Sequence, residues 1–542
     1  MIYEARLLTF YMNLIKSPVI RFCCLFFVVA FNPNFLAAAD RPASFAEASE
    51  GRPNVIVIYT DDQGFGDASC LNPDAKFQTP NLDRLANEGI AFTNGHSPDT
   101  VCTPSRYGLL TGRYCWRTEK KTGVMGAEGE CLITDDRMTL ASLLRDNGYD
   151  TAMVGKWHLG MDFPGESHKN RDWTKPVQNM PLDKGFEYFY GIPASLNYGV
   201  LAWFEGRHAK VPPTVFTAKK PNQRHSDYRI MPPYQASPEE TKEVVGTNGM
   251  EVAPDFTDDM CLERFTEKAI EWMEGKTESA KNGEPFFLYL PFTSPHYPVC
   301  PQEQFWGQGD AGGYGEFVIE TDYRVGQILD FLEESGLDQN TMIVFSSDNG
   351  PEKTWVGRIE EFDHDSSSIY QGGKRDIYEG GHRVPFFVRW PGGIDAPGRK
   401  NDSLVGQTDV LATLADVIGV ELPDNAGEDS QSFAGILRDA KMGHERLPLI
   451  NHGYYGRFAV TEGTWKLIMA HGKLKPELYD LSMDPEEAHN VIEQNPEIAQ
   501  SLEKKITDIV INGRTTPGVK QSNDTGHWKD LTWIEEGSYE VK

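Results

Sequence analysis

Two short runs in this chain have an unbroken apolar centre: NVIVIYT (54–60), with VIVIY, and TMIVFSS (341–347), with MIVF. A strand with no polar alternation has both faces buried, as happens in a parallel sheet covered by helices. Further runs of the same kind follow in TAMVGKWHL from Thr151, PFFLYLPF (285–292) and VPFFVRW (384–390). Helical segments separate them. Thr79-Pro80 opens one by N-cap and first-turn proline, with Leu82, Leu85 and Ala86 on one face and Gly89 as its stop. Others are expected at Ser142–Gly148, Tyr323–Glu334 and Asp409–Ile418. This alternation predicts an α/β fold, a large β-sheet sandwiched by helices, over residues 51–440. From Pro448 the pattern changes to closely spaced strands, RFAVTEG, TWKLIMA and ELYDL, before a helix at Pro496–Ile511. That order predicts a smaller C-terminal antiparallel sheet plus helix in 445–542. Residues 160–260, aperiodic and rich in proline and aromatics, read as long loops over the sheet edge.

Charge narrows the partners. With 52 basic and 80 acidic residues the net charge is −28, which excludes nucleic acid or an anionic membrane as a partner for the surface as a whole. An anionic substrate needs local positive charge. At the N-terminus Arg6, Lys16 and Arg21 precede the apolar run Phe22–Phe31, and Leu36-Ala37-Ala38-Ala39 offers a cleavage site before Asp40. Residues 1–39 therefore read as a signal peptide. Asn32 and Pro33 end the run too early for a membrane anchor. The expected product is exported, periplasmic or extracellular, with no stable membrane insertion. Cys23 and Cys24 leave with the leader; Cys70, Cys102, Cys115, Cys131, Cys261 and Cys300 remain, scattered without a CxxC framework or a zinc pattern. Their pairing is open.

Chemistry concentrates where strands end. VIVIYT runs into Asp61-Asp62 and MIVFSS into Asp348-Asn349-Gly350, and ligands of open α/β sheets bind beyond the carboxyl ends of strands. Three carboxylates and an amide brought together need a cation, and hard oxygens suit calcium or magnesium; taken separately, each cluster also reads as a solvated turn. Lys156 and His158, two apart on an expected strand, share a face and suit anion binding with acid/base work. His296 follows a strand and Lys374 sits in a glycine-rich loop; either alone reads as readily as a surface residue. Cys102 precedes Thr103, an N-cap candidate, and Pro104, a first-turn residue. Just ahead of a helix N-terminus its thiol is expected to have a lowered pKa and to be nucleophilic. A thiolate, however, is a poor ligand for a hard cation.

Cys102-Thr103-Pro104-Ser105-Arg106, continued by Leu110-Thr111-Gly112-Arg113, resembles the C-x-P-S-R signature of the type I, formylglycine-dependent sulfatases, arylsulfatase-like members of the alkaline phosphatase superfamily. GYDTAMVGKWHLG (148–160) is similar to a second signature, and DDQGFGD, SPHYP, SSDNG and GGKRDIYEGGHRVP occur in the family's order. The C-terminal WKL…ELYDLSMDPEE resembles the family's small domain. The resemblance implies the alkaline-phosphatase-like sulfatase fold, a large mixed sheet between helices. It implies that a formylglycine-generating enzyme oxidises Cys102 to Cα-formylglycine, and that Asp61, Asp62, Asp348, Asn349 and residue 102 hold one calcium ion. Arg106 and Lys156 are then expected to hold the formylglycine hydrate, His158 to act as the base that breaks down the covalent intermediate, and His296 and Lys374 to contact sulfate and protonate the leaving oxygen. A hydrated aldehyde has two hydroxyls on one carbon: one attacks sulfur, and deprotonating the other expels sulfate. The implied activity is sulfuric ester hydrolysis, on a sulfated carbohydrate or an aryl sulfate. A phosphodiesterase or phosphonate monoester hydrolase of the same superfamily is the alternative. An inactive carbohydrate-binding relative predicts decayed motifs, and none is decayed. Arg207, Lys210, Lys219, Lys220, Arg224 and Arg229, opposed by Asp227 alone, form a basic segment expected to guide a sulfated polysaccharide, with Trp203, Phe204 or Tyr228 stacking on it; a solvated loop paired with acidic neighbours is the other reading.

Overall fold

A computed structural model describes residues 51–165, 170–218 and 249–535. Residues 1–39, with the expected signal peptide, lie outside the described residues. At the centre of the fold the strand Asn54–Asp61 pairs in parallel with Phe286–Pro295 on one side and Thr341–Ser347 on the other. All eight of its residues are buried, which is what its unbroken apolar run requires. Asp150–Lys156 and Tyr188–Ile192 extend the parallel block beyond Phe286–Pro295. The full sheet has ten strands, and its flanks reverse direction at Phe386–Arg389 on one side and Phe204–Glu205 on the other, so the sheet is mixed. Five consecutive parallel strands thus present their carboxyl ends along one edge.

Two groups of helices cover the sheet. Pro80–Asn87, Cys261–Glu274 and Gly312–Ser335 pack with one another and on the strands. Cys102–Thr111 packs with Asp409–Ile418 and with Leu140–Arg145, which lies on Asp150–Lys156. Leu82, Leu85 and Ala86 are the buried face of the first helix, as their spacing predicts. The 24-residue helix Gly312–Ser335 begins eleven positions before the expected Tyr323 start; its opening GGYG carries no helix signal, and packing against two other helices outweighs glycine's low propensity. The helix expected from Ser142 starts at Leu140, because Thr139 accepts from the Ser142 backbone N–H and caps it.

The stretch 160–260 differs from expectation. Instead of loops alone it supplies Tyr188–Ile192, Phe204–Glu205 and His208–Ala209 to the main sheet, and Val200–Leu201, Val215–Ala218 and Gly249–Val252 form a separate three-stranded sheet. Strands of two to five residues are too short to show a period.

In the C-terminal region Leu449–His452, Phe458–Glu462, Trp465–Ile468 and Glu477–Asp480 form an antiparallel sheet in sequence order, with the helix Pro496–Asn512 packed on it. Its core takes in Tyr114 and Trp116, which follow the Cys102–Thr111 helix. Arg117 locks this seam: buried, it donates two hydrogen bonds to buried Asp429, at 2.7 and 2.8 Å, and one to Asn523, at 3.0 Å. Replacing Arg117 by Met leaves Asp429 buried and without its counter-charge, a change that costs about 3–5 kcal/mol. The expected outcome is a lower denaturant midpoint, read by urea unfolding of the variant against the parent chain.

Candidate active site

The acidic and basic groups assigned to the expected metal and sulfate site lie at or just past the carboxyl edge of the parallel block, or on a loop or helix start facing it. Asp61 closes the central strand, Asp348 and Asn349 follow Thr341–Ser347, His296 follows Phe286–Pro295, and Lys156 ends its own strand. Gly350 lets the Asp348-Asn349 turn seat: a Cβ there would lie 1.8 Å from the Gly380 carbonyl oxygen. Asp61, Asp62, Asp348, Asn349, Arg106, Lys156, His158, His296 and Lys374 are all buried.

The carboxylates are held apart by specific donors. Lys156 Nζ donates to Asp61 Oδ2 at 2.5 Å. Lys374 Nζ contacts both Asp62 oxygens, at 2.6 and 2.8 Å, and Asn349 Nδ2 donates to Asp62 Oδ1 at 2.8 Å. Arg106 Nε and Nη2 donate to Asp348 Oδ2 at 3.1 and 2.8 Å. Burial alone would raise the Asp62 carboxyl, but Lys374 and His296 outweigh it and hold the group below the usual carboxylate range. Asp348 goes the other way: burial, then repulsion from Asp61, push it up to about 6. The three carboxylates and the three cations Arg106, Lys156 and Lys374 are balanced in number, yet Asp348 resists ionisation where it stands.

Among the side-chain oxygens of Asp61, Asp62, Asp348 and Asn349, two have no hydrogen bond, Asp61 Oδ1 and Asn349 Oδ1; Arg106 comes no nearer to the former than 3.8 Å. One ligand atom each from Asp61, Cys102 and Asp348 lies within 4.8 Å of the others. Unpartnered buried oxygens carry a desolvation cost that a cation removes. The oxygens of Asp61, Asp62, Asp348 and Asn349 are hard donors, which fit calcium or magnesium and do not fit a soft metal.

The two histidines differ in how they are held. His158 lies just past the strand, not on it: Asp150–Lys156 ends two residues earlier, and His158 has φ 61°, so the shared strand face expected for Lys156 and His158 is not what brings them together. Its Nε2 lies 2.9 Å from the Met125 carbonyl oxygen, which fixes the proton there and leaves Nδ1 as a buried lone pair without a hydrogen bond. Burial, with Lys156 and Arg106 next, holds the ring well below the ordinary imidazole range, so it is a neutral base. His296 Nε2 lies 3.7 Å from Asp62 Oδ2 while Nδ1 meets the Tyr297 carbonyl at 2.5 Å; burial brings its pKa down to about 3 despite Asp62. Asp62, like His158, has positive φ, at 66°. Such strained backbone in non-glycine residues is typical of sites where geometry is imposed.

Cys102 corrects one expectation and refines another. The helix spans Cys102–Thr111, with Val101 as N-cap, so Cys102 is its first residue and Thr103 is inside it. Thr103 Oγ1 instead accepts from the Met125 backbone N–H and donates to the His158 carbonyl. The thiol is not activated. Burial pushes it up to about 11, with Asp348 and Asp61 adding to the rise against Lys156 and Lys374. A cysteine at this position is a poor nucleophile at neutral pH, and the helix N-terminus does not rescue it.

The basic segment is divided. Arg207 pairs with Asp183, donating to Oδ2 at 2.9 Å, and Lys210 pairs with Glu205; Lys219, Lys220, Arg224, Tyr228 and Arg229 lie outside the described residues. Trp203 and Phe204 do not offer faces for stacking: both are fully buried, Trp203 against Phe256 and under Arg264, Phe204 against Phe163. Their hydrophobic surface completes the edge of the sheet. Several site residues escaped the sequence reading. Gln63 is buried with neither amide atom hydrogen-bonded, and only its acidic neighbours had drawn attention. Tyr198 packs its ring edge-on to His158 at 4.9 Å, and Ser195 Oγ lies 3.5 Å from Asp61 Oδ2; both come from the aperiodic 160–260 stretch. Glu352 and Arg375, paired at 2.5 and 2.7 Å, brace the Lys374 loop. The state of Cys102 has a direct check. Protein made without a maturation enzyme is expected to resist iodoacetamide at residue 102 at pH 8 while folded and to label there once unfolded, read by peptide mass spectrometry.

Comparison with known proteins agrees with this geometry. The sulfatase family pattern matches residues 53–420, and the pattern for the C-terminal part of N-sulphoglucosamine sulphohydrolase matches 370–512. An N-acetylgalactosamine-6-O-sulfatase of Bacteroides thetaiotaomicron is 32% identical over 84% of this chain and 93% of its own. Human arylsulfatase A is 30% identical over 83% and 86%. A solved structure from work on glycosaminoglycan metabolism by Bacteroides thetaiotaomicron superposes with a TM-score of 0.72 at 31% identity, covering 84% of this chain and 99% of that one. A family match across most of the chain, on the fold and the ordered motifs described above, makes this protein an enzyme of the sulfatase family.

Proposed function

We propose that the enzyme hydrolyses a sulfate ester of a sulfated carbohydrate, using formylglycine made from Cys102 and a bound calcium ion. The observation that carries this reading is the buried set of three carboxylates and three cations around a residue 102 whose thiol burial pushes up to about 11. A thiol held in its neutral form suits a precursor better than a nucleophile. The carbohydrate preference rests on the N-acetylgalactosamine-6-O-sulfatase relative, which matches over 93% of its length.

Asp61, Asp62, Asp348 and Asn349 would hold the calcium, with Asp61 Oδ1 and Asn349 Oδ1 as oxygens already lacking a partner. When present, the metal and the hydrated aldehyde supply an activated oxygen nucleophile and a Lewis acid for the sulfuryl oxygens. The remaining work falls to side chains. Lys374 and Lys156, both buried, stabilise charge on the sulfate as the ester bond breaks. Arg106, tied to Asp348 and stacked 5.3 Å from the centre of the Tyr59 ring, fixes the orientation of residue 102. His158 Nδ1, a bare lone pair, takes the proton whose removal releases sulfate. His296 and Lys374 stand on the other side, at Asp62, where a leaving alcohol is protonated. Burial of the whole set excludes water and strengthens each contact.

Two outcomes are expected. In protein from a host with a maturation enzyme, intact-mass analysis of the residue 102 peptide reads formylglycine and activity tracks its fraction; a thiol in fully active enzyme would sink the mechanism. Lys374→Ala lowers kcat/KM about 10²–10³-fold with folding retained, the effect of removing one charge-stabilising donor, measured with a sulfated monosaccharide.

A further inference from the structure

Next to the site runs a groove of about 440 Å³ that the chemistry above leaves unused, lined by Lys120, Val124, Tyr454, Tyr455 and Lys529 among others. Its size falls in the range of small-molecule sites. One wall, residues 120–124, leads directly into Met125, whose carbonyl holds His158 and whose N–H is held by Thr103. The other wall is fixed to the same place: the Tyr454 N–H donates to Thr100 Oγ1 at 3.1 Å and the Arg375 N–H to the Thr100 carbonyl at 3.0 Å. Thr100 lies two residues before Cys102 and Arg375 one after Lys374. Both walls of the groove are thereby tied to the segments that carry Cys102, Lys374 and the partner of His158.

Its lining is chemically distinctive. Among the described residues neither Lys120 nor Lys529 is in an ion pair, whereas most other lysines and arginines near the site are paired. Asp530, beside Lys529, is committed to His471 at 3.0 Å. Tyr455 is 61% exposed, although a large aromatic side chain normally hides. It meets Tyr454 edge to face at 4.9 Å, and Arg375 lies 6.0 Å from the centre of the Tyr454 ring. Opposite Tyr454 stands Gly123 at φ +71°, where even a Cβ would only reach 3.7 Å from the ring, so backbone alone faces the ring at that point. Two uncommitted ammonium groups flanking exposed aromatic faces, in a chain of net charge −28, suit an extended anionic saccharide: the rings take the C–H faces of a sugar, the lysines its sulfate or carboxylate groups.

We propose that this groove is a subsite for the sugar next to the one that loses its sulfate, so that the substrate is an anionic oligosaccharide or polysaccharide rather than an isolated sulfated sugar. The inference rests on the sulfatase reading above and names its substrate class. The test compares a tetrasaccharide ending in 6-sulfated N-acetylgalactosamine with the 6-sulfated monosaccharide. For Lys120→Gln/Lys529→Gln and for Tyr455→Ala, KM for the tetrasaccharide is expected to rise about tenfold, with kcat kept and monosaccharide kinetics unchanged. The double lysine variant also loses most of the salt dependence of KM. Equal losses on both substrates, or none on the tetrasaccharide, overturn the subsite. A second readout uses Cys102→Ala protein, which cannot turn over, and a fluorescent tetrasaccharide: the lysine changes weaken binding about tenfold if the groove holds sugar. If the parent enzyme hydrolyses neither substrate while this binding difference persists, the reaction proposed above fails and the groove stands; unchanged binding removes the groove whatever the reaction.

Discussion

Everything in the site depends on parallel strand pairing at the middle of the sheet. Asn54–Thr60 lies in register with Thr341–Ser347, so Asp61 and Asp348, the next residue of each segment, emerge at the same edge. That forces carboxylates together in a buried space, and the fold answers with Arg106, Lys156 and Lys374, each on a different segment. Three negative and three positive side chains cancel. On the proposed reading, a dication and a product sulfate dianion would cancel as well, so that the buried site would hold both without a net charge. The same arrangement explains why Asp348 is pushed up toward about 6 by burial and by Asp61: a cluster that ionises reluctantly on its own is completed by a cation.

Much of this was legible in the chain. The central strands announce themselves because burial on both faces removes polar residues, and TMIVFSS coincides with the strand Thr341–Ser347. Asp409–Ile418 also falls where its pattern places it. The ordered motifs identified Asp61, Asp62, Asp348 and Asn349 together with their cationic partners, and the fold brings them to one edge. What could not be read is what packing decides. His158 owes its place to a positive-φ turn and to the Met125 carbonyl, neither of which has a local sequence sign. The thiol of Cys102 was expected to be activated by its helix, but total burial overrides the modest field of a helix end. Trp203 and Phe204 were expected to stack on substrate, but Trp203 precedes and Phe204 opens a strand of two residues, too short to leave a period by which to recognise their burial.

The C-terminal sheet belongs to this account as more than an appendage. Tyr114 and Trp116 leave the Cys102–Thr111 helix and enter the core of that sheet, and Arg117 ties the same segment to Asp429 and Asn523. The helix that carries residue 102 is therefore anchored at its far end by the C-terminal region. Lys466, from the same sheet, reaches back to buried Glu379 at 2.9 Å in the turn that packs on Gly350. Position 102 and the Asp348-Asn349 turn are both braced by contacts about a hundred residues or more away in sequence, which gives one rigid frame to groups that must be placed with little tolerance.

The same superfamily also uses a formylglycine and a metal on phosphate diesters and phosphonates, so the proposed reaction requires a frame set for sulfuryl rather than phosphoryl transfer. One preparation, with residue 102 established as formylglycine, can be assayed with both a sulfate ester and a phosphate diester sharing the same nitrophenyl leaving group. The expected result is a kcat/KM for the sulfate ester about 10²-fold or more above that for the diester. A preference for the phosphate diester would contradict the account.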